Sequence, residues 1–116
     1  MYTIRYDNSK NCIYILVEGN MDLQQADNYV KDLKRTIDGA KANFNMCTDL
    51  SKASVVLPEV NEKLNETKAY AKKKGYNKCA FVVSSAVFKM QIRRVFEESQ
   101  ESLFTTITDA EKFLNS

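Results

Sequence analysis

The chain has 116 residues, 44% apolar and 28% charged, the balance of a globular domain able to bury roughly two-thirds of the surface its unfolded form would expose. Its 17 Lys plus Arg nearly cancel 15 Asp plus Glu, and a net charge of +2 gives no case for binding nucleic acid or a membrane surface. No histidine occurs, which removes the usual general base near neutral pH and every Ser-His or Cys-His nucleophilic pair.

Taken in chain order, "YTIRYD" alternates, with Tyr2, Ile4 and Tyr6 on one side and Thr3 and Arg5 on the other, as an edge strand with one wet face does. "DNSKN" is a polar turn. "CIYILVEG" follows as a continuous apolar run, so the two strands form an antiparallel hairpin whose second member is a central strand buried on both faces. From Asp22 the period changes: Ala26, Tyr29, Val30, Leu33, Ile37 and Ala40 mark an amphipathic helix, with Asp22 as N-cap and Gln25 placed to complete a capping box.

"FNMCTDL" is the next strand, ending at Asp49-Leu50. The helix after it has Pro58 in its first turn, Glu59 and Glu62 near its positive end, Lys72 to Lys74 near its negative end and Gly75 as terminator. "KCAFVVSS" is a third buried strand. Val87, Phe88, Ile92, Val95 and Phe96 mark a helix opened by Ser84 or Ser85, "SLFTTI" is a short last strand, and Thr108 with Glu111 forms a capping box for a closing helix with Ala110, Phe113 and Leu114 on one side. The order ββαβαβαβα predicts a single α/β domain over residues 1–116: a mixed, mainly parallel sheet of about five strands with four helices and right-handed crossovers.

Few residues carry chemistry. Asp49 is a carboxylate at a strand's C-terminal end, where α/β sheets gather ligands, and alone it does not make an enzyme. Cys12, Cys47 and Cys79 are odd in number and widely spaced, fitting neither a disulfide framework nor a zinc site. Cys12 and Cys79 fall near strand N-termini and Cys47 toward a C-terminus, so the three are expected not to cluster and to be buried, inert thiols of a reducing compartment. Gly19, Gly39 and Gly75 sit singly, without a phosphate-binding glycine loop. Lys89, Arg93 and Arg94 are diluted by Glu97, Glu98 and Glu101, as on a solvated helix face. No cofactor or metal is expected. With no signal-like start and no run of about 18 apolar residues, the expectation is a cytoplasmic protein without stable membrane insertion.

The hairpin "YTIRYD" and "CIYILVEGNMD", then "FNMCTDLSKAS", "KCAFVVSS" and "FTTITDAEKFL", together resemble the STAS domains, the fold of anti-sigma factor antagonists, and most closely the divergent group similar to the stage II sporulation antagonist. The resemblance covers essentially the whole chain and contains no catalytic signature. It implies a regulatory protein-interaction domain whose loop after the third strand carries an Asp-Ser-Ser/Thr-Gly-Leu motif phosphorylated by a kinase partner. The comparable stretch is "SVVLPEV". Its motif aspartate falls on Leu57 or Val56, the acceptor serine on Pro58 or Leu57, and the glycine on Val60 or Glu59. Ser51 and Ser54 lie on framework positions before the motif.

The resemblance therefore implies a non-enzymatic interaction module without the usual phosphoserine. A protein partner would be met at Ser51, Lys52, Ser54, Pro58, Glu59, Glu62, Lys63 and Glu66. The alternative is a carrier of a small apolar or anionic ligand such as a lipid, in a cleft lined by Tyr29, Phe88 and Met90, although core packing accounts for the same spacing.

Overall fold

Alternation in "YTIRYD" and the apolar run after it produce the expected hairpin. In the structure, a computed structural model that describes residues 1–53, 58–83 and 103–115 (backbone alone at 58, 61 and 64), β1 (Tyr2–Asp7) pairs antiparallel with β2 (Cys12–Gly19). The turn is organised by Asp7 Oδ1, which accepts from the Ser9 N–H, the Ser9 hydroxyl and the Lys10 N–H at 3.0, 2.7 and 3.2 Å. Asn11, at φ 50°, takes the left-handed conformation that asparagine tolerates.

Next come α1 (Leu23–Gly39), β3 (Asn45–Ala53), α2 (Pro58–Lys74), β4 (Cys79–Val82), β5 (Leu103–Phe104) and α3 (Ile107–Leu114). The sheet order is β1-β2-β3-β4-β5, with β2 to β5 parallel. Thus β3 holds the middle of the sheet, while β2, expected to be central, is the interior strand beside the edge. The helix expected from Ser84 or Ser85 onward, with Lys89, Arg93, Arg94 and the three glutamates after them, lies outside the described residues, so three of the four expected helices are seen here.

Because strand side chains alternate, the sheet needs a cover on both faces. On one, Ile13, Ile15, Met46, Leu50, Phe81 and Val83 pack against the apolar stripes of α1 and α2. On the other, Cys12, Cys47, Ala80 and Val82 meet Ala110 and Leu114 of α3. Ile13, Leu33 and Val60 are at most 1% exposed, and each such burial contributes about 1.5–3 kcal/mol.

The parallel helices α1 and α2 are joined along their length by Lys63–Asp27 at 3.1 Å, Lys34–Glu66 at 3.4 Å, Tyr70 Oη donating to Asp38 at 2.5 Å, and Lys74–Asp38 at 3.4 Å. Tyr2 anchors the other flank of α1: its hydroxyl donates to Asp32 at 2.5 Å and its ring meets Tyr29 edge-on. Burial, with that hydrogen bond, pushes the Tyr2 phenol up to about 12.

Helix ends follow local chemistry. Asp22 caps α1, its Oδ1 accepting from the Gln25 N–H at 2.8 Å, but the return bond of a capping box is not made: Gln25 Oε1 is turned inward, buried and unpaired. Gly75, at φ 80°, closes α2 in a Schellman motif, with Tyr76 N–H to Ala71 O and Gly75 N–H to Lys72 O. For α3 the cap is Thr106, two residues before the expected Thr108; its extended backbone and Oγ1, 3.2 Å from the Asp109 N–H, start the helix at Ile107. Thr106→Ala is expected to destabilise the fold by about 1 kcal/mol in urea unfolding, and Thr108→Ala by less than about half of that.

Candidate functional site

The C-terminal ends of β2 to β5 lie at one end of the sheet, where all three described helices begin. The feature that shapes this end is a bulge in β3. Leu16 pairs with Asp49 and Glu18 with Lys52, so β3 carries one residue more than β2 between the two pairs. Asp49 Oδ1 takes up the displaced donors, accepting from the Ser51 N–H at 2.9 Å and the Ser51 hydroxyl at 2.6 Å. This carries β3 past Asp49-Leu50, where the sequence places its end, to Ala53. Asp49 is thereby a structural acceptor, half-buried and occupied. In Asp49→Ala the Ser51 amide is expected to exchange at least about tenfold faster, at a cost of about 1 kcal/mol, with Asp49→Asn in between; amide exchange by NMR reads both.

The expected contact residues divide into two groups. Lys52, Glu59 and Glu62 are exposed, and Ser51 is half-buried with its hydroxyl engaged. Lys63 and Glu66 turn to α1, where Asp27 holds the Lys63 ammonium above its ordinary range and Lys34 meets Glu66. Pro58 opens α2, and Ser54 lies outside the described residues. Sequence reasoning did not single out Met1, Leu23 and Ile107, the exposed large hydrophobics among the described residues at 72%, 49% and 42%. All three lie at this same end. The available signal was that Leu23 and Ile107 directly follow the capping residues Asp22 and Thr106, off the buried stripes of their helices.

A cavity of about 30 Å³ lies between the sheet and the two helices, lined in part by Tyr29, Leu33, Thr48, Thr67 and Phe81. That is room for about two waters, against roughly 300 Å³ or more for a ligand pocket. Phe88 and Met90, expected beside Tyr29, lie outside the described residues.

The cysteines come closer together than their sequence positions imply. Since β3 runs on to Ala53, Cys47 is its third residue and sits in its first half, opposite Tyr14 and Ala80, with Cys12 on the same face and Cys79 beside Met46 on the other. Among the described residues, no group of cysteines and acids has the arrangement of a metal site. Burial, reinforced by Cys12, pushes the Cys47 thiol up to about 12; burial and Cys47 do the same for Cys79, and burial raises Cys12.

A thiol whose pKa is raised by folding stabilises the native state below its unfolded value, near 9, and that contribution disappears as pH climbs toward 12. The urea midpoint is therefore expected to fall between pH 8 and pH 10.5, and by less in Cys47→Ala. Native alkylation at pH 8 should be slow for Cys12 and Cys47 and fast after unfolding.

Searched by sequence, the chain matches no family model and no curated protein. Compared by structure, it is similar over its full length to an anti-sigma factor antagonist from Mycobacterium paratuberculosis, with TM-score 0.72 and 14% identity, covering 100% of this chain and 96% of that one. It is similar too to the anti-sigma factor antagonist SpoIIAA in its unphosphorylated form, with TM-score 0.73 and 10% identity, covering 99% and 96%. The class is therefore an α/β domain with the STAS fold. Both of these structural neighbours are anti-sigma factor antagonists, and the likeness to them is one of fold at low sequence identity.

Proposed function

We propose that residues 1–116 form one non-enzymatic protein-interaction module of the regulatory STAS type, acting in the cytoplasm. Its contact surface combines the end of β3 with the exposed side of α2: Ser51, Lys52, Ser54, Pro58, Glu59 and Glu62, bordered by Lys63 and Glu66. The observation that carries the reading is the full-length likeness of fold to two anti-sigma factor antagonists. Against catalysis stand the absence of histidine from the chain, the raised thiols and the engagement of Asp49 with Ser51. Among the described residues no helix is long and apolar enough to cross a membrane. Of the cleft expected for a lipid carrier, Tyr29 borders a cavity with room for about two waters, and Phe88 and Met90 lie outside the described residues.

The module works without the phosphoserine that such domains keep after their third strand. Leu57 or Pro58 stands in the acceptor's place, and the nearest described hydroxyl, that of Ser51, is half-buried and donates to Asp49. Affinity capture with the full chain from a lysate of the source organism is expected to enrich one protein that is lost with Glu59→Lys/Glu62→Lys, both exposed positions that leave the fold intact. Incubated with that partner and ATP, the chain should take up no phosphate at Ser51 or Ser54 by mass spectrometry. Capture indifferent to the double charge reversal would remove the proposed surface, and phosphate on either serine would restore the switch.

A further inference from the structure

The register of the β1–β2 hairpin fixes which backbone groups of β1 face outward. Met1 and Glu18 exchange both of their backbone hydrogen bonds, at 2.8 and 3.0 Å, and pairing runs on without a shift to Asp7 opposite Cys12. In an antiparallel ladder such pairs alternate, so Thr3, Arg5 and Asp7 also bond to β2, while the N–H and C=O groups of Tyr2, Ile4 and Tyr6 point away from it. Among the described residues no strand takes up those groups, since β1 ends the sheet. The side chains of Tyr2, Ile4 and Tyr6 are half-buried, packed on the core but open along the edge.

Sheet edges are commonly blunted by brevity, a bulge, proline or a charged side chain. At the far edge, β5 is two residues long. In contrast, β1 has six residues with no lysine, proline or bulge. Its one cation, Arg5, lies over the ring of Tyr14 on β2, 4.1 Å from the centroid, and so leans away from the edge.

We infer that this edge pairs with the same edge of a second copy of the chain, the two β1 strands meeting antiparallel about a two-fold axis through Ile4. The order Tyr2, Ile4, Tyr6 reads the same in both directions, which a two-fold pairing needs and a foreign strand does not. With Ile4 opposite Ile4 and Tyr2 opposite Tyr6 of the second copy, every outward group of both strands is bonded. On the other face Arg5 falls opposite Thr3. An axis through Arg5 sets the two arginines against each other, and one through Thr3 leaves the groups of Tyr6 unbonded, so the register is specified. A strand of this length spans about 20 Å, and the contact belongs with the small, transient interfaces. The pairing is independent of the β3–α2 contact surface, from which β1 is separated by β2.

Sedimentation velocity of the full chain from about 20 µM to about 1 mM reads the association, and amide exchange by NMR locates it. The chain is expected to pass from monomer toward dimer over that range, with exchange of the Tyr2, Ile4 and Tyr6 amides slowing at least about threefold and that of Thr3 and Arg5, already bonded to β2, changing little. Ile4→Pro removes an N–H that faces away from β2 and should abolish the dimer. Symmetry gives two equal contacts between residue 3 and Arg5, so at low salt exposed Thr3→Lys should weaken the dimer about fivefold and Thr3→Glu tighten it about fivefold, with thermal unfolding of the monomer little changed. A chain that stays monomeric at about 1 mM, or a dimer indifferent to the sign of the charge at residue 3, overturns the inference. Protection of the same amides only when a captured protein is added overturns it in favour of a foreign strand. Glu59→Lys/Glu62→Lys should leave the dimer unchanged, so failure of this pairing and failure of the interaction-module reading are told apart.

Discussion

Strands β2 and β3 pair in parallel from Cys12 opposite Asn45 to Gly19 opposite Ala53, with buried side chains on alternate faces, so neither strand is stable without a layer above and below it. Ile13, Ile15, Met46 and Leu50 require α1 and α2, and Cys12 and Cys47 require α3. Parallel pairing has a second consequence. Each crossover helix must run back against its strands, so α1 and α2 begin at one end of the sheet and finish at the other, and α3, which follows the last strand, starts at the same end. Among the described residues, the gathering of helix N-termini at one end and helix C-termini at the other is built into that topology.

The two ends are finished differently. At the strand N-termini, asparagines knit the loops together: Asn45 Nδ2 donates to Leu114 O, while its Oδ1 accepts from Asn77 Nδ2 and the Lys78 N–H. Asn11 Nδ2 donates to Ala42 O, its Oδ1 accepts from the Tyr6 hydroxyl, and Lys78 Nζ reaches Phe113 O. These bonds satisfy carbonyls that helix ends otherwise leave open. At the opposite end the described bonds include the caps, Asp49 with Ser51, the reciprocal pair between Met1 and Glu18 and the Val83 N–H to Phe104 O, and Met1, Leu23 and Ile107 stay in solvent.

Much of this was legible in the sequence because burial imposes a period. The hairpin, the stripes of α1, the terminator Gly75 and the two-faced strands each follow from residue spacing alone. What spacing could not give were features set by partners distant in the chain. The bulge that extends β3 depends on its register against β2, and Thr106 outcompetes Thr108 as a cap because β5 delivers the chain to α3 in an extended conformation. Similarly, Gln25 matches the pattern of a capping box, yet the pattern does not decide which way its amide turns. The asparagine network was invisible for the same reason: Asn11, Asn45 and Asn77 are each unremarkable in isolation. Of the contact residues expected from the β3–α2 region, only the packing of the two helices shows that Lys63 and Glu66 are committed to α1.

Likeness of fold at TM-score 0.72 with 14% identity has a physical reading. The fold needs an apolar side chain at each buried position and the right hydrogen-bonding group at each helix end, and many sequences supply both. It makes no demand on exposed residues in the first turn of α2 or at the start of α1 and α3. Substitution there leaves stability nearly unchanged, so that end can change its chemistry while the sheet and its covers stay the same. The first turn of α2 shows what the helix itself does require: Pro58 serves as its first residue and Glu59 complements its dipole.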